Sequence, residues 1–256
     1  MDIVNAGMNI DSEYELYKQN YEGLIEMGDL REYMIQEYVI RIFLSHVLED
    51  LDIIPTHIKL NDKNSVHDYR KYCGVSKDGK TVTPDLCIAK GWKWNNSSFD
   101  DYRAIVEVKT PVSIAISPYE IVKDNTGKKS RYHEFDFKKI SEISNSNLRD
   151  ELLIHSQRND TKRNSKVIFT DGITWFFLEN SILKKRYDLG VRQLHRYINS
   201  KSKIECEFLG ISWKNNEIVE VNDWLTEKVF GGGISHSKAP EVFAELVKEI
   251  KEFVKI

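Results

Sequence analysis

The sequence predicts an α/β fold, a central mixed β-sheet flanked by helices. Three observations predict it. Helical and strand periodicities follow one another in the order helix, strand, hairpin, helix, strand. Apolar residues make up 41% and charged residues 30%, as in an ordinary globular protein. At 256 residues the chain can bury most of its apolar surface without disulfide or metal staples.

Asp11-Ser12 opens a helix to about Met27, with Tyr14, Tyr17, Tyr21 and Leu24 at spacings of three and four, and Gly28 stops it. A second helix, Leu30 to about Asp50, carries a wide apolar face of Ile35, Val39, Ile40, Phe43, Leu44, Val47 and Leu48. Ile53-Ile54 and His57 to Leu60 read as a first strand, and Asn61 to Arg70 as a polar loop. Tyr72 to Val75 and Thr81-Val82 read as a hairpin around Asp78-Gly79. Leu86 to Ala89 and Tyr102 to Val108 are strands. Lys123 to Arg131 reads as a mobile basic loop, and Phe135 to Arg158 as a helix broken near Asn145-Ser146-Asn147. Lys166 to Phe169 and Ile173 to Leu178 are strands joined by Thr170-Asp171-Gly172. Arg186 to Asn199 reads as a short helix and Ile204 to Trp213 as a strand. Trp224 to Phe230, a triple-glycine break and an amphipathic helix from Pro240 to about Val254 close the chain.

The chemistry gathers in one stretch. Pro84-Asp85 precedes one strand, and Glu107-Val108-Lys109 ends the next, with twenty-one residues between Asp85 and Glu107. Strand side chains alternate faces, so Glu107 and Lys109 point the same way. If the two strands pair as a hairpin, two carboxylates and an ammonium converge at one end of a sheet. Hard oxygen donors of this kind suit Mg²⁺ or Mn²⁺ better than zinc.

This pattern resembles the PD-(D/E)xK nuclease superfamily, which includes many restriction endonucleases. A strand ending in Thr170-Asp171-Gly172, followed by an aromatic strand with Trp175, is similar to the N-terminal nuclease domain of type I restriction-enzyme motor subunits. The matching pieces cover about residues 29 to 179. The resemblance implies a restriction-endonuclease-like core over 1–180, with 181–256 as a C-terminal α/β extension packed on it. It implies Mg (or Mn)-dependent endonuclease activity on DNA, and a role in restriction or antiviral defence. Asp85, Glu107 and the Val108 carbonyl would hold the metal, and Lys109 would orient water and stabilise transition-state charge. A glutamate from the preceding helix would complete the set, either Glu32 or Glu37. Glu32 also stands at capping-box spacing from Asp29, whereas Glu37 shares a face with Tyr33, Ile40 and Leu44 and is expected to be buried. Related nucleases carry a glutamine and a tyrosine in the helix before the Thr-Asp-Gly strand. Here that helix has Glu151, His155 and Gln157, with His155 read as a structural or surface residue.

Lys128, Lys129 and Arg131 form one basic cluster, and Arg158, Lys162, Arg163 and Lys166 another. Both flank the helix expected after the motif and are candidates for lining a phosphate groove. The net charge of −3 excludes a globally basic nucleic-acid coat but allows a local groove. Gly231-Gly232-Gly233 lacks the Lys-Ser/Thr of a P-loop, so no NTP-driven motor is expected. Three scattered cysteines fit a reducing compartment, and no apolar run approaches a membrane span, so a cytoplasmic location is expected. The expected partner is DNA, with no membrane; a homo-oligomer or a partner subunit stays open. RNA as substrate, or a module that binds nucleic acid or protein without cutting, are the alternatives.

Overall fold

The computed structural model describes residues 9–55, 74–75, 81–91, 101–111, 120–123, 129–133, 139–143, 146–156, 166–198, 204–213 and 239–255. Helix α1 spans Ile10–Glu26 and is capped by the Asn9 side chain, which accepts from the Asp11 and Ser12 amides. Gly28, with φ 67°, turns the chain after it. The next helical rod runs as α2 (Glu32–Ile35), a π-helical turn (Gln36–Ile40) and α3 (Arg41–Val47). In the π turn the Arg41 amide bonds the Gln36 carbonyl, one residue further back than in an α-helix.

Strands β1 (Asp52–Pro55), β4 (Leu86–Lys90), β5 (Asp101–Val108), β8 (Lys166–Thr170), β9 (Thr174–Glu179) and β10 (Ile182–Asp188) form one six-stranded sheet in that order. β5 and β8 are parallel and every other neighbouring pair is antiparallel, so the sheet is mixed. The parallel pair needs a long crossover, and the 109–165 segment provides it. Within that segment lie a 3₁₀ turn (Ile140–Glu142) and helix α4 (Ser146–Ser156). Among the described residues three two-stranded hairpins accompany the sheet: β2 (Gly74–Val75) with β3 (Thr81–Val82), β6 (Glu120–Lys123) with β7 (Lys129–His133), and β11 (Gly190–Ile198) with β12 (Ile204–Trp213). Helix α5 (Ala239–Phe253) ends the described chain.

Strand alternation separates two apolar layers. Leu86, Ile88, Ala104, Val106, Val108, Ile168, Trp175 and Phe177 face α1, α3 and α5. Cys87, Ala89, Ile105, Val167, Phe169, Phe176 and Leu178 face Leu148 and Leu152 of α4 with Ile140 and Ile143. The sheet is therefore covered by helices on both sides, as its apolar strands require.

Three elements differ from those expected. Arg186 to Asn199 is not a helix: Asn180 and Ser181, both at positive φ, make a two-residue turn that folds β10 back on β9, and β11 pairs with β12. Lys184, Lys185 and Arg186 mark β10 as a charged edge strand. Lys123 and Lys129 to Arg131 are not loop, because β6 and β7 pair through them. Within the helix expected from Phe135 to Arg158, Lys139 bridges Ile182, the Ile140 amide bonds the Ser181 carbonyl and Ile140–Glu142 is a 3₁₀ turn, whereas Ser146–Ser156 is helical; residues 135–138, 144–145 and 157–158 lie outside the described residues. His57 to Leu60, Asn61 to Arg70, the Asp78-Gly79 turn, and Trp224 to Phe230 with the triple glycine lie outside the described residues.

Candidate metal centre

The β4–β5 register pairs Leu86 with Val106, which sets Asp85 and Glu107 abreast one step further on. Asp85 shares its side of the strand with Cys87, and Glu107 with Ile105, so both carboxylates stand on the α4 side of the sheet. Asp85 Oδ2 accepts the Val108 amide at 2.7 Å, extending the pairing by a side-chain bond. Lys109, two residues past Glu107, returns to the same side. Its amide donates to the Thr170 carbonyl at 2.9 Å, which fixes the end of β5 against β8.

The Lys109 ammonium sits among three carboxylates: Glu107 Oε1 at 2.5 Å, Glu151 Oε2 at 3.1 Å and Glu32 Oε2 at 4.0 Å. These acids hold its pKa well above the usual lysine value against the opposing effect of burial, so Lys109 is a cation at any ordinary pH. Glu107 is 2% exposed. Burial is the main cause that raises its pKa; Glu151 adds to the rise and Lys109 opposes it. Asp85 is pushed up to about 8, first by desolvation and then by the Glu107 charge, while the Val108 amide and Lys109 pull it down. A buried carboxylate and a partly buried neighbour that resist joint ionisation are a pair that a divalent cation would relieve.

Of the two helix acids, Glu32 reaches this group. Its helix begins with Arg31 at the N-cap and no side-chain cap bond, so no capping box with Asp29 occupies Glu32. Asp29 pairs instead with the Arg31 guanidinium. Glu37 is mostly buried, as its face predicts, but its partners are Arg41 Nε at 2.7 Å and Gln36 Nε2 at 3.0 Å. Gln36 connects the two regions: 3% exposed, it also sets its amide 3.5 Å from the Asp85 carbonyl.

Helix α4 contributes two residues to which the sequence pattern assigns no metal role. Glu151 and His155 are four apart and share a helical face. His155 is buried, with Nε2 3.2 Å from Glu107 Oε2, which itself accepts no well-directed hydrogen bond. Glu107, Glu151 and His155 offer ligand atoms that all lie within 4.8 Å of one another, and this largely buried cluster could coordinate a metal ion. The signal in the sequence was the Glu-x-x-x-His spacing in a helix following the motif strand. That spacing occurs on many surface helices, so by itself it does not mark a site.

Trp175, Phe176 and Phe177 are core residues on alternating sides of β9. Lys129 and Arg131 lie on β7. Lys128, Arg158, Lys162 and Arg163 lie outside the described residues. Lys166 starts β8 at the opposite end of the sheet from Lys109, and its ammonium is bound to the Lys255 carbonyl beyond α5 at 2.9 Å. Among the described residues no helix is long and apolar enough to cross a membrane. No family model matches the chain, and no curated protein or solved structure matches it.

Proposed function

We propose that the protein is a nuclease of the PD-(D/E)xK type, with a restriction-endonuclease-like core, that hydrolyses phosphodiester bonds in DNA with Mg²⁺ or Mn²⁺. The observation that carries this reading is the meeting of Asp85, Glu107 and Lys109 at one end of two paired central strands. The donor set fits a hard divalent ion, because two adjacent carboxylates, one buried and one partly buried, would trade mutual repulsion for attraction to it. Asp85 and Glu107 would hold the ion, with the Val108 carbonyl and Glu32 as further oxygens. When bound, such an ion supplies Lewis-acid polarisation of a phosphoryl oxygen and a more acidic water.

The chain's own residues do the rest. Lys109 brings a permanent positive charge to the place where phosphoryl oxygens gain negative charge in the transition state. The acids beside it favour the ammonium form, so it serves as electrostatic stabiliser and as a hydrogen-bond partner for water rather than as base. Glu151 and Glu32 hold the ammonium at this end of the sheet.

The test is incubation with plasmid, linear duplex and single-stranded DNA, and with RNA, with and without Mg²⁺ or Mn²⁺. Metal-dependent cleavage of DNA is expected, with loss of at least about a hundredfold in Asp85→Ala and Glu107→Gln. Cleavage of RNA alone moves the substrate; binding without cleavage supports the non-cutting module. Activity intact in folded Asp85→Ala rejects the site.

A further inference from the structure

We infer that Glu107, Glu151 and His155 form a second divalent-ion position, one for a borderline transition ion such as Co²⁺ or Zn²⁺ rather than Mg²⁺. It adjoins the Asp85 position and shares Glu107 with it. This goes beyond the hydrolytic reading, and none of its evidence or readouts depends on nucleic acid.

Three observations point there. The first is the donor set. An imidazole nitrogen with two carboxylates is a mixed set that suits Zn²⁺, Co²⁺ or Mn²⁺, whereas Mg²⁺ prefers oxygen alone. The second is geometry. Donors about 2.0–2.2 Å from one ion stand roughly 3–3.5 Å apart. His155 Nε2 and Glu107 Oε2 are already 3.2 Å apart, and the full set lies within 4.8 Å. Glu151 and His155 come from one helical face, and Glu151 is the partly exposed member of the set, so its side chain has room to adjust toward an ion. The third is a buried acceptor with no directed donor. Glu107 is 2% exposed, and its Oε2, turned toward His155, accepts no well-directed hydrogen bond. A coordinating cation would compensate that oxygen for lost hydration.

Lys109 shows that this place is built for positive charge. Its ammonium already lies between Glu107 Oε1 and Glu151 Oε2, at 2.5 and 3.1 Å. A cation held by Glu107, Glu151 and His155 would take over part of that neutralisation. The Asp85 carboxylate accepts the Val108 amide and is not one of the three groups of this set, so it is not required.

The test is Co²⁺ titration of the full chain in saturating Mg²⁺, followed by visible absorption and calorimetry, with circular dichroism to verify folding. One Co²⁺ per chain is expected, with ligand-field bands and no thiolate charge-transfer band. Glu151→Gln and His155→Gln should each weaken it by about tenfold or more. Asp85→Asn should leave Co²⁺ binding within about threefold of the parent while it weakens Mg²⁺ binding. If His155→Gln fails to fold, the partly exposed Glu151→Gln decides alone. Absence of one-to-one Co²⁺ binding, or binding unchanged in folded Glu151→Gln, overturns the inference. Equal loss of Co²⁺ and Mg²⁺ binding in Asp85→Asn also overturns it, because the two ions would then share a single position.

Discussion

Asp85 sits where burial and a neighbouring acid act together, and this has a measurable cost. Its pKa in the folded protein is about 8, far above the ordinary value near 4 of an unfolded aspartate. Between those values the folded state holds a proton that the unfolded state has released. Stability from this residue is therefore full below about pH 4 and falls as pH rises toward about 8. The melting temperature of metal-free protein should drop from about pH 5 to about pH 8, and the drop should be smaller in Asp85→Asn. Mg²⁺ should raise the melting temperature more at the higher pH, where no proton competes for the carboxylate. A pH trend identical in parent and Asp85→Asn would show that the carboxyl is solvated rather than enclosed. Glu37 should behave differently. Its partner is Arg41, so Glu37→Gln should cost about 1 kcal/mol or less of stability, seen by urea denaturation, and leave the Mg²⁺ response intact.

Among the elements, the Thr170-Asp171-Gly172 turn ties helix α1 to the candidate centre. Asp171 Oδ1 accepts the Ile173 and Thr174 amides, and Thr170 Oγ1 accepts the Gly172 amide. Tyr17 and Tyr21 donate their hydroxyls to the Gly172 and Asp171 carbonyls at 2.5 and 2.8 Å. The same turn begins at Thr170, whose carbonyl holds the Lys109 amide. Only glycine fits at position 172, since φ is 84° and an added Cβ would stand 2.6 Å from Tyr21 Cε2. Gly172→Ala should therefore destabilise by ~2 kcal/mol or more in chemical denaturation. Tyr21→Phe leaves the buried Asp171 carbonyl without that donor and should cost about 1–2 kcal/mol. The motif letters were legible in the sequence, but the role of the two tyrosines was not. They lie about 150 residues away, and helical spacing alone marks them only as an apolar stripe.

At the scale of the whole molecule, the centre stands at the end of β5, where the antiparallel half β1-β4-β5 joins the antiparallel half β8-β9-β10 through the parallel β5–β8 pairing. Helices on both faces hold that strand. α5 places Val242, Phe243, Leu246 and Ile250 in the same apolar layer as Tyr17, Phe43 and Trp175, with Phe243 5.0 Å from Phe43 between ring centroids. Phe243→Ala should cost about 3–5 kcal/mol, and a chain ending at Lys238 should lose cooperative unfolding. The sequence exposed the long, strongly periodic pieces, α1, the second helical rod, β4, β5, β8, β9, β12 and α5, because burial of one face or both writes itself into local patterning. It misled at β10 and β11, where pairing partners overrode an ambiguous polar pattern. Asp85, Glu107 and Lys109 were legible because two strands and one register bring them together. Glu151 and His155 needed the packing of α4 across the sheet, which no local signal encodes.

The wide turn at Gln36–Ile40 can be viewed as one surplus residue lodged in an otherwise ordinary helix. Removing a residue there, with the half-exposed Tyr38 the least costly choice, would let the rod close into a uniform α-helix. It would do so only by swinging everything upstream through about 100° and drawing it in by about 1.5 Å. Ile35 would leave the core, Gln36 would leave the Asp85 carbonyl, and Glu32 would turn away from Lys109. The helix is thus one residue too long for its own regularity and the right length for what stands beside it.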